Sequence, residues 1–322
     1  MTKIFDRCGV KFRHFYIEPQ RRSWLGFDEN QKDLLRRHQQ GALELGACAA
    51  RRSLTAAGVS PGEVSHICCV SSTGFLLPGL TAHFVRELDL SRTVHRIDVV
   101  GMGCSAALNG LNNSTHWVAS NPGSISLLLC CEINSSLYVF DERAGTAVVN
   151  SLFGDGCAAA VIRTDRGRRE GAVLLGFSSL LLPEALHMMQ YEWSENHGRF
   201  EFQLAKEVPR VLGEHLCAPV LTLLGRFGLT PADVRHWVVH GGGKSIVDAT
   251  REAFSLDTYQ LRHTISTLCN YGNLGSASIL FSYEALLHEE NTHDGELALM
   301  LAMGPGLSIE CALLRMRDGR HG

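Results

Sequence analysis

The chain repeats itself at long range, and the interval constrains what it can fold into. The apolar run His66-Ile-Cys-Cys-Val70, which leaves through Ser71-Ser-Thr-Gly74, has a counterpart in His236-Trp-Val-Val-His240, which leaves through Gly241-Gly-Gly243. Ile97-Asp-Val-Val100, leading into Gly101-Met-Gly-Cys104, corresponds to Tyr271-Gly-Asn273, and Ser124 to Glu132 corresponds to Gly295 to Met303. The three pairs share an offset of about 170 residues. Solenoid units recur every 20 to 50 residues or about that, so the longer interval predicts two similar halves packed together. The short apolar runs read as buried strands. Gly-rich or Ser-rich turns follow them, and then helical patterns over Leu80 to Leu88, Ala106 to Ala119, Ile246 to Phe254 and Ser276 to Leu287. The expected class is α/β. Charge and glycine replace the apolar pattern at Arg163-Thr-Asp-Arg-Gly-Arg-Arg-Glu-Gly171, which divides residues 1–168 from 169–322.

Composition removes several function classes. A formal net charge of -3 gives no broad basic field for nucleic acid or an anionic membrane, so an anionic ligand must be met locally. The start, Met1-Thr-Lys-Ile-Phe-Asp-Arg7, lacks the apolar stretch of a secretory signal, and a cytoplasmic location is expected. Leu127 to Cys131 and Leu180 to Leu182 are far shorter than the roughly 20 residues of a membrane helix. Eleven cysteines, an odd number with two adjacent pairs, read as buried thiols and not as a disulfide framework. The 15 histidines have no zinc-site spacing, and no metal is expected.

Three residues on the repeated turns stand out. Cys104 follows a strand and two glycines and precedes a helix, whose free amides and dipole would favour a thiolate; a small packing thiol is the plainer reading. His240 ends a strand at a triple-glycine turn, where Gly242 lets a ligand approach the backbone; a satisfied core histidine would look the same. Asn273 is the pseudo-equivalent of Cys104 and offers a neutral amide donor, although Tyr-Gly-Asn alone is an ordinary turn. If the halves pack as a repeat, all three converge. A thiolate then accepts an acyl group, and histidine and asparagine hold the charge on a thioester oxygen or an enolate, with no cofactor. The rival motif is Gly101-x-Gly103-x-x-Ala106 followed by Glu132, a dinucleotide fingerprint that would make the chain an NAD-dependent oxidoreductase. Against it, Glu132 lies 26 residues beyond Ala106, and a cysteine in the phosphate turn goes unexplained.

These segments resemble the thiolase superfamily, and within it the chalcone synthase-like type III polyketide synthases. The matching stretches are Val100-Gly-Met-Gly-Cys104, Ser151-Leu-Phe-Gly-Asp-Gly156, His240-Gly-Gly-Gly243, Tyr271-Gly-Asn-Leu274 and Met303-Gly-Pro-Gly306. Ser72 to Gly79, Thr146 to Ser151 and His236 to His240 are similar to the bacterial branch that makes 3,5-dihydroxyphenylacetyl-CoA for glycopeptide antibiotics.

The resemblance implies an αβαβα layered fold and decarboxylative condensation of malonyl-CoA, four units being consumed and closed to an aromatic ring still on CoA. It assigns the nucleophile to Cys104, the decarboxylation and oxyanion pair to His240 and Asn273, and a gatekeeper to Phe153. Leu77 would reach into a neighbouring subunit, which implies a homodimer, and Lys3 and Arg7 would sit near the CoA phosphates. Lys244, beside the triple glycine, is a further phosphate candidate. Gly275 replaces a serine that usually lines the cavity. Compared with the family, the first half lacks about one strand and one helix at its start. A different starter or product, a β-ketoacyl synthase III-like activity, and an inactive partner of a full-length homologue are the alternatives within this reading.

Overall fold

The structure is a computed structural model, and it describes residues 4–5, 8–16, 31–138, 143–164, 171–196, 198–290 and 292–317. Lys3 and Arg7 lie outside these residues.

The first sheet comprises β1 (His66–Val70), β2 (His95–Val99), β3 (Ile125–Glu132) and β4 (Gly156–Arg163), in the order β2-β1-β3-β4. The second comprises β5 (Gly171–Leu181), β8 (His236–Val239), β9 (Leu297–Gly304) and β10 (Ser308–Arg317), in the order β5-β10-β9-β8. A hairpin, β6 (Met189–Ser194) and β7 (Arg199–Leu204), stands apart. The repeat is real at the level of pairing. β1 runs parallel to β3 as β8 does to β9, and β3 is antiparallel to β4 as β9 is to β10.

Side-chain alternation sorts the core into layers. Ile67, Leu127 and Leu129 face α1 (Gln31–Ala57) and α2 (Leu80–Glu87) on one outer side. Cys68, Val70, Leu128 and Cys130 face inward, where α3 (Ala106–Ser120) and α9 (Ser278–Leu287) lie between the sheets and meet Val238, Met300 and Ala312. Trp237, Leu299, Leu301 and Leu313 face the other outer side, against α5 (Val208–His215), α6 (Cys217–Gly225), α7 (Lys244–Phe254) and α8 (Arg262–Tyr271). This is the expected αβαβα stack. Strands buried on both faces read as continuous apolar runs, which is why β1, β3 and β8 were legible. Leu128 is fully buried between two layers, so Leu128→Ala would cost about 3 kcal/mol.

Two local expectations are corrected. The run at Ile97 is not a buried strand: His95–Val99 is exposed along most of its length, and among the described residues β2 is an outer edge of the sheet with β1 as its paired neighbour. The correspondence of Tyr271-Gly-Asn273 with the strand and turn before Cys104 holds only at the turn, since α8 runs to Tyr271 and Asn273 makes a single parallel bridge to Phe153. The outer edge of β10 is covered by β5, whereas among the described residues no strand covers the corresponding edge of β4. Such an edge presents unpaired backbone groups.

Candidate active site

The strand-to-helix turns of the two halves meet at one place. Gly103 adopts φ 57°, and a Cβ there would fall 2.3 Å from Pro305 Cδ, so only glycine lets the turn before Cys104 approach the loop after β9. Its N–H donates to Ser72 Oγ at 2.9 Å. Cys104 follows, on the wall of a cavity of about 540 Å³ also lined by Phe153, Glu132, Gly275, Tyr191 and Phe202. That volume suits a small-molecule substrate.

Cys104, Asn273, Gly242 and His240 form a short chain of contacts. The Asn273 side chain lies beside the Cys104 thiol and favours its ionised form, and its Nδ2 donates to Gly242 O at 3.3 Å. Gly242 N–H donates to His240 O at 2.9 Å. Asn273 is itself fixed by Gly275 N–H donating to its Oδ1 at 2.9 Å. A helix start favours a thiolate, but here burial and the nearby Glu132 push the Cys104 thiol up to about 12 against the pull of Asn273. The resting cysteine is a thiol and needs a base. Burial holds His240 down at about 4, hence neutral, and its Nδ1 is buried without a partner among the described residues. A neutral imidazole can take the thiol proton.

Phe153 follows α4 (Ala144–Leu152) and packs edge-on against Phe202 of the hairpin at 5.7 Å, while Tyr138 Oη donates to its carbonyl. The last turn of α4 separates the cavity from a second one of about 450 Å³, lined by Ser151, Leu152, Gly243, Lys244 and Asp248. Lys244 is paired with Asp248 at 2.5 Å there. Leu77 is 98% exposed on a loop with Phe75 and makes no core contact. Gly275, at φ 58°, would place a Cβ 2.9 Å from Glu132 Cγ.

Glu132 is not the ribose-binding carboxylate of a dinucleotide site. It is 1% exposed and accepts from Ser72 N–H at 3.0 Å, Thr73 Oγ1 at 3.0 Å and Ser276 Oγ at 2.6 Å. Burial raises it to about 7 despite these donors. Ser276, Tyr191 and Phe202 escaped the sequence reading because nothing local marks them, and Thr73 escaped it although it lies in the quoted turn Ser71-Ser-Thr-Gly74. Asp155 escaped too, although it sits inside a motif: it accepts from Ser135 N–H at 2.7 Å and Tyr16 N–H at 2.8 Å and pins two loops around Phe153.

The model of the chalcone and stilbene synthases, N-terminal domain, matches residues 30–166, and that of the C-terminal domain matches residues 176–317. The chain belongs to this family. A 3,5-dihydroxyphenylacetyl-CoA synthase of Streptomyces toyocaensis is 42% identical over 320 residues, which is 98% of this chain and 82% of the relative. A second, from Amycolatopsis orientalis, is 41% identical over 315 residues, 98% of this chain and 85% of the relative. The crystal structure of 1,3,6,8-tetrahydroxynaphthalene synthase from Streptomyces coelicolor A3(2), a bacterial type III polyketide synthase, superposes with a TM-score of 0.91 at 28% identity, covering 98% of this chain and 89% of that one. This family of condensing enzymes replaces the oxidoreductase reading of Gly101 to Ala106. Among the described residues no helix is long and apolar enough to cross a membrane, and no cluster could hold a metal ion.

Proposed function

We propose that the chain loads malonyl-CoA units onto Cys104, condenses four of them with loss of carbon dioxide, and closes the product to 3,5-dihydroxyphenylacetyl-CoA. The observation that carries this reading is Cys104 on the cavity wall with the Asn273 side chain beside it, itself linked through Gly242 to His240, in a chain 42% identical to a synthase of that name. His240 takes the Cys104 proton, and the thiolate attacks the thioester carbonyl. His240 and Asn273 then hold the negative charge on the thioester oxygen when malonyl loses its carboxylate. The apolar Phe153 disfavours that carboxylate and so promotes its loss.

The second cavity, with Gly243 and Lys244, takes the pantetheine arm and phosphates of CoA. Lys244 does so only by sharing its charge with Asp248, and Lys3 and Arg7 would supply further charge. Leu77 closes the active-site cavity of a second copy, making the enzyme a homodimer; its exposure supports this role. The enzyme works in the cytoplasm, where malonyl-CoA is made, and needs no cofactor.

Mass spectrometry after incubation with malonyl-CoA tests the reading. An acyl adduct on Cys104, carbon dioxide release and an aromatic CoA thioester are expected. No adduct and no carbon dioxide would overturn it.

A further inference from the structure

Outside both cavities, one charged side chain holds the turn that carries Phe153. The last four carbonyls of a helix have no partner inside it, and in α4 they belong to Val149, Asn150, Ser151 and Leu152. Val149 O accepts from Phe153 N–H at 3.2 Å, Asn150 O from Tyr138 Oη at 3.4 Å, and Leu152 O from Asn273 N–H at 2.7 Å. Ser151 O accepts from Arg13 Nη1 at 2.5 Å. The fourth partner is thus a cation, the charge that a helix C-terminus favours.

Arg13 belongs to a strap, residues 9–16, that is fastened on both sides of the site. Lys11 N–H and Phe12 N–H donate to Cys269 O, in the last turn of α8, at 2.8 and 3.1 Å. Asp155 N–H donates to His14 O at 2.8 Å, and Tyr16 N–H donates to the Asp155 carboxylate. Between these fastenings the Arg13 stem packs against Gly272. A Cβ there would fall 3.1 Å from Arg13 Cγ and 2.5 Å from Leu152 O, on a backbone at φ 75°. Glycine at 272 therefore leaves room for the stem. Arg13 thus touches the residue before Asn273 and the carbonyl two residues before Phe153, and Phe153 and Asn273 are the two partners of a single backbone bridge. The guanidinium also lies 5.3 Å from the Phe5 ring, and its Nε is buried without a partner among the described residues. Its hydrogen bonding is spent on Ser151.

We propose that Arg13 is a positioning residue of the decarboxylating site, holding the last turn of α4 against Gly272 and so setting where Phe153 and the Asn273 amide stand. The inference rests on the condensing-enzyme reading above. Arg13 lines neither cavity, so it acts through Phe153 and Asn273 and not on the substrate. Without the guanidinium, Ser151 O loses its partner and the turn is released on the side that faces Gly272. A displacement of about 1 Å at a reacting centre costs on the order of 100-fold in rate. Substrate still enters cavities whose lining is unchanged, so the loss falls on kcat and not on KM.

The test is steady-state carbon dioxide release from malonyl-CoA. Arg13→Met keeps a stem against Gly272 and removes the charge. It is expected to lower kcat about tenfold or more, with KM within about threefold of wild type. Alkylation of Cys104 by iodoacetamide, followed by mass spectrometry, should keep its rate within about threefold, because Arg13 touches neither Cys104 nor His240. Arg13→Lys should fall between the two, since an ammonium reaches Ser151 O without the planar fork that fixes its direction. A kcat within about twofold of wild type in Arg13→Met overturns the inference. So does a loss that kcat and Cys104 alkylation share equally, which is the mark of a general loosening of the fold. If Arg13→Met does not fold, Arg13→Lys decides by the same split: a kcat equal to wild type, or a loss shared with Cys104 alkylation, overturns the inference. A wild-type enzyme that releases no carbon dioxide overturns the condensing-enzyme reading itself, a failure told apart because it appears without any substitution.

Discussion

Phe153 and Asn273 are joined by a single parallel backbone bridge between the two halves of the molecule. Asn273 N–H donates to Leu152 O at 2.7 Å, and Gly154 N–H donates to Asn273 O at 2.9 Å. The backbone of the amide donor is thus fixed independently of its side chain. Asn273→Ala should fold as wild type and lose about 100-fold in carbon dioxide release, measured beside its circular-dichroism spectrum and melting temperature.

Gly103→Ala tests the approach of the halves. The new Cβ would meet Pro305 Cδ at 2.3 Å on a backbone at φ 57°. Thermal unfolding should show a loss of more than about 2 kcal/mol, together with loss of acylation at Cys104.

Glu132 links stability to pH. Its carboxyl rises from the ordinary 4.5 to about 7 on folding, so between those values the unfolded chain has lost a proton that the folded one keeps. Stability from this group therefore falls as pH rises through that window. Comparing the melting temperatures of Glu132→Gln and wild type, the difference should move in the variant's favour between about pH 5 and about pH 8. The change should be on the order of 1 to 3 kcal/mol.

Glu289 should behave in the opposite way. Burial alone would raise it, but it accepts from Arg262 Nε and His263 Nε2, both at 2.9 Å, and these contacts and charges together hold it down at about 2. The stabilisation is present above the unfolded value near 4.5 and is lost as pH falls through the folded value. With its side chain 20% exposed, Glu289→Gln should cost about 1 to 2 kcal/mol at neutral pH. Urea unfolding should show that cost shrinking at about pH 3.

Leu77 makes no contribution to its own subunit's core, being 98% exposed. Under the homodimer proposed above, Leu77→Asp should leave the stability of the single chain within about 0.5 kcal/mol and shift the protein from dimer toward monomer in sedimentation equilibrium.

Much of the fold was legible because the buried strands β1, β3 and β8 are continuous apolar runs and the helices after them are periodic. The reading failed where burial and pattern part company. Ile97 sits on an edge strand whose residues His95, Arg96 and Asp98 are polar, and the stretch before Asn273 is helical although its counterpart before Cys104 is a strand. The site was legible in Cys104, His240 and Asn273, each marked by glycines on a repeated turn. It was illegible at Tyr191, Phe202 and Ser276, which are ordinary residues in sequence and come together only around the cavity and Glu132.

The amino-acid sequence by itself determined the two-half architecture and which thiol, imidazole and amide sit on its repeated turns, because periodicity, turn glycines and a fixed interval are written locally and then repeated. Tertiary structure decided what those groups are chemically. The Cys104 thiol is raised, His240 is neutral and Glu132 titrates near 7. The cause in each case is desolvation by segments distant in the chain, and no local pattern encodes how much water a folded core excludes.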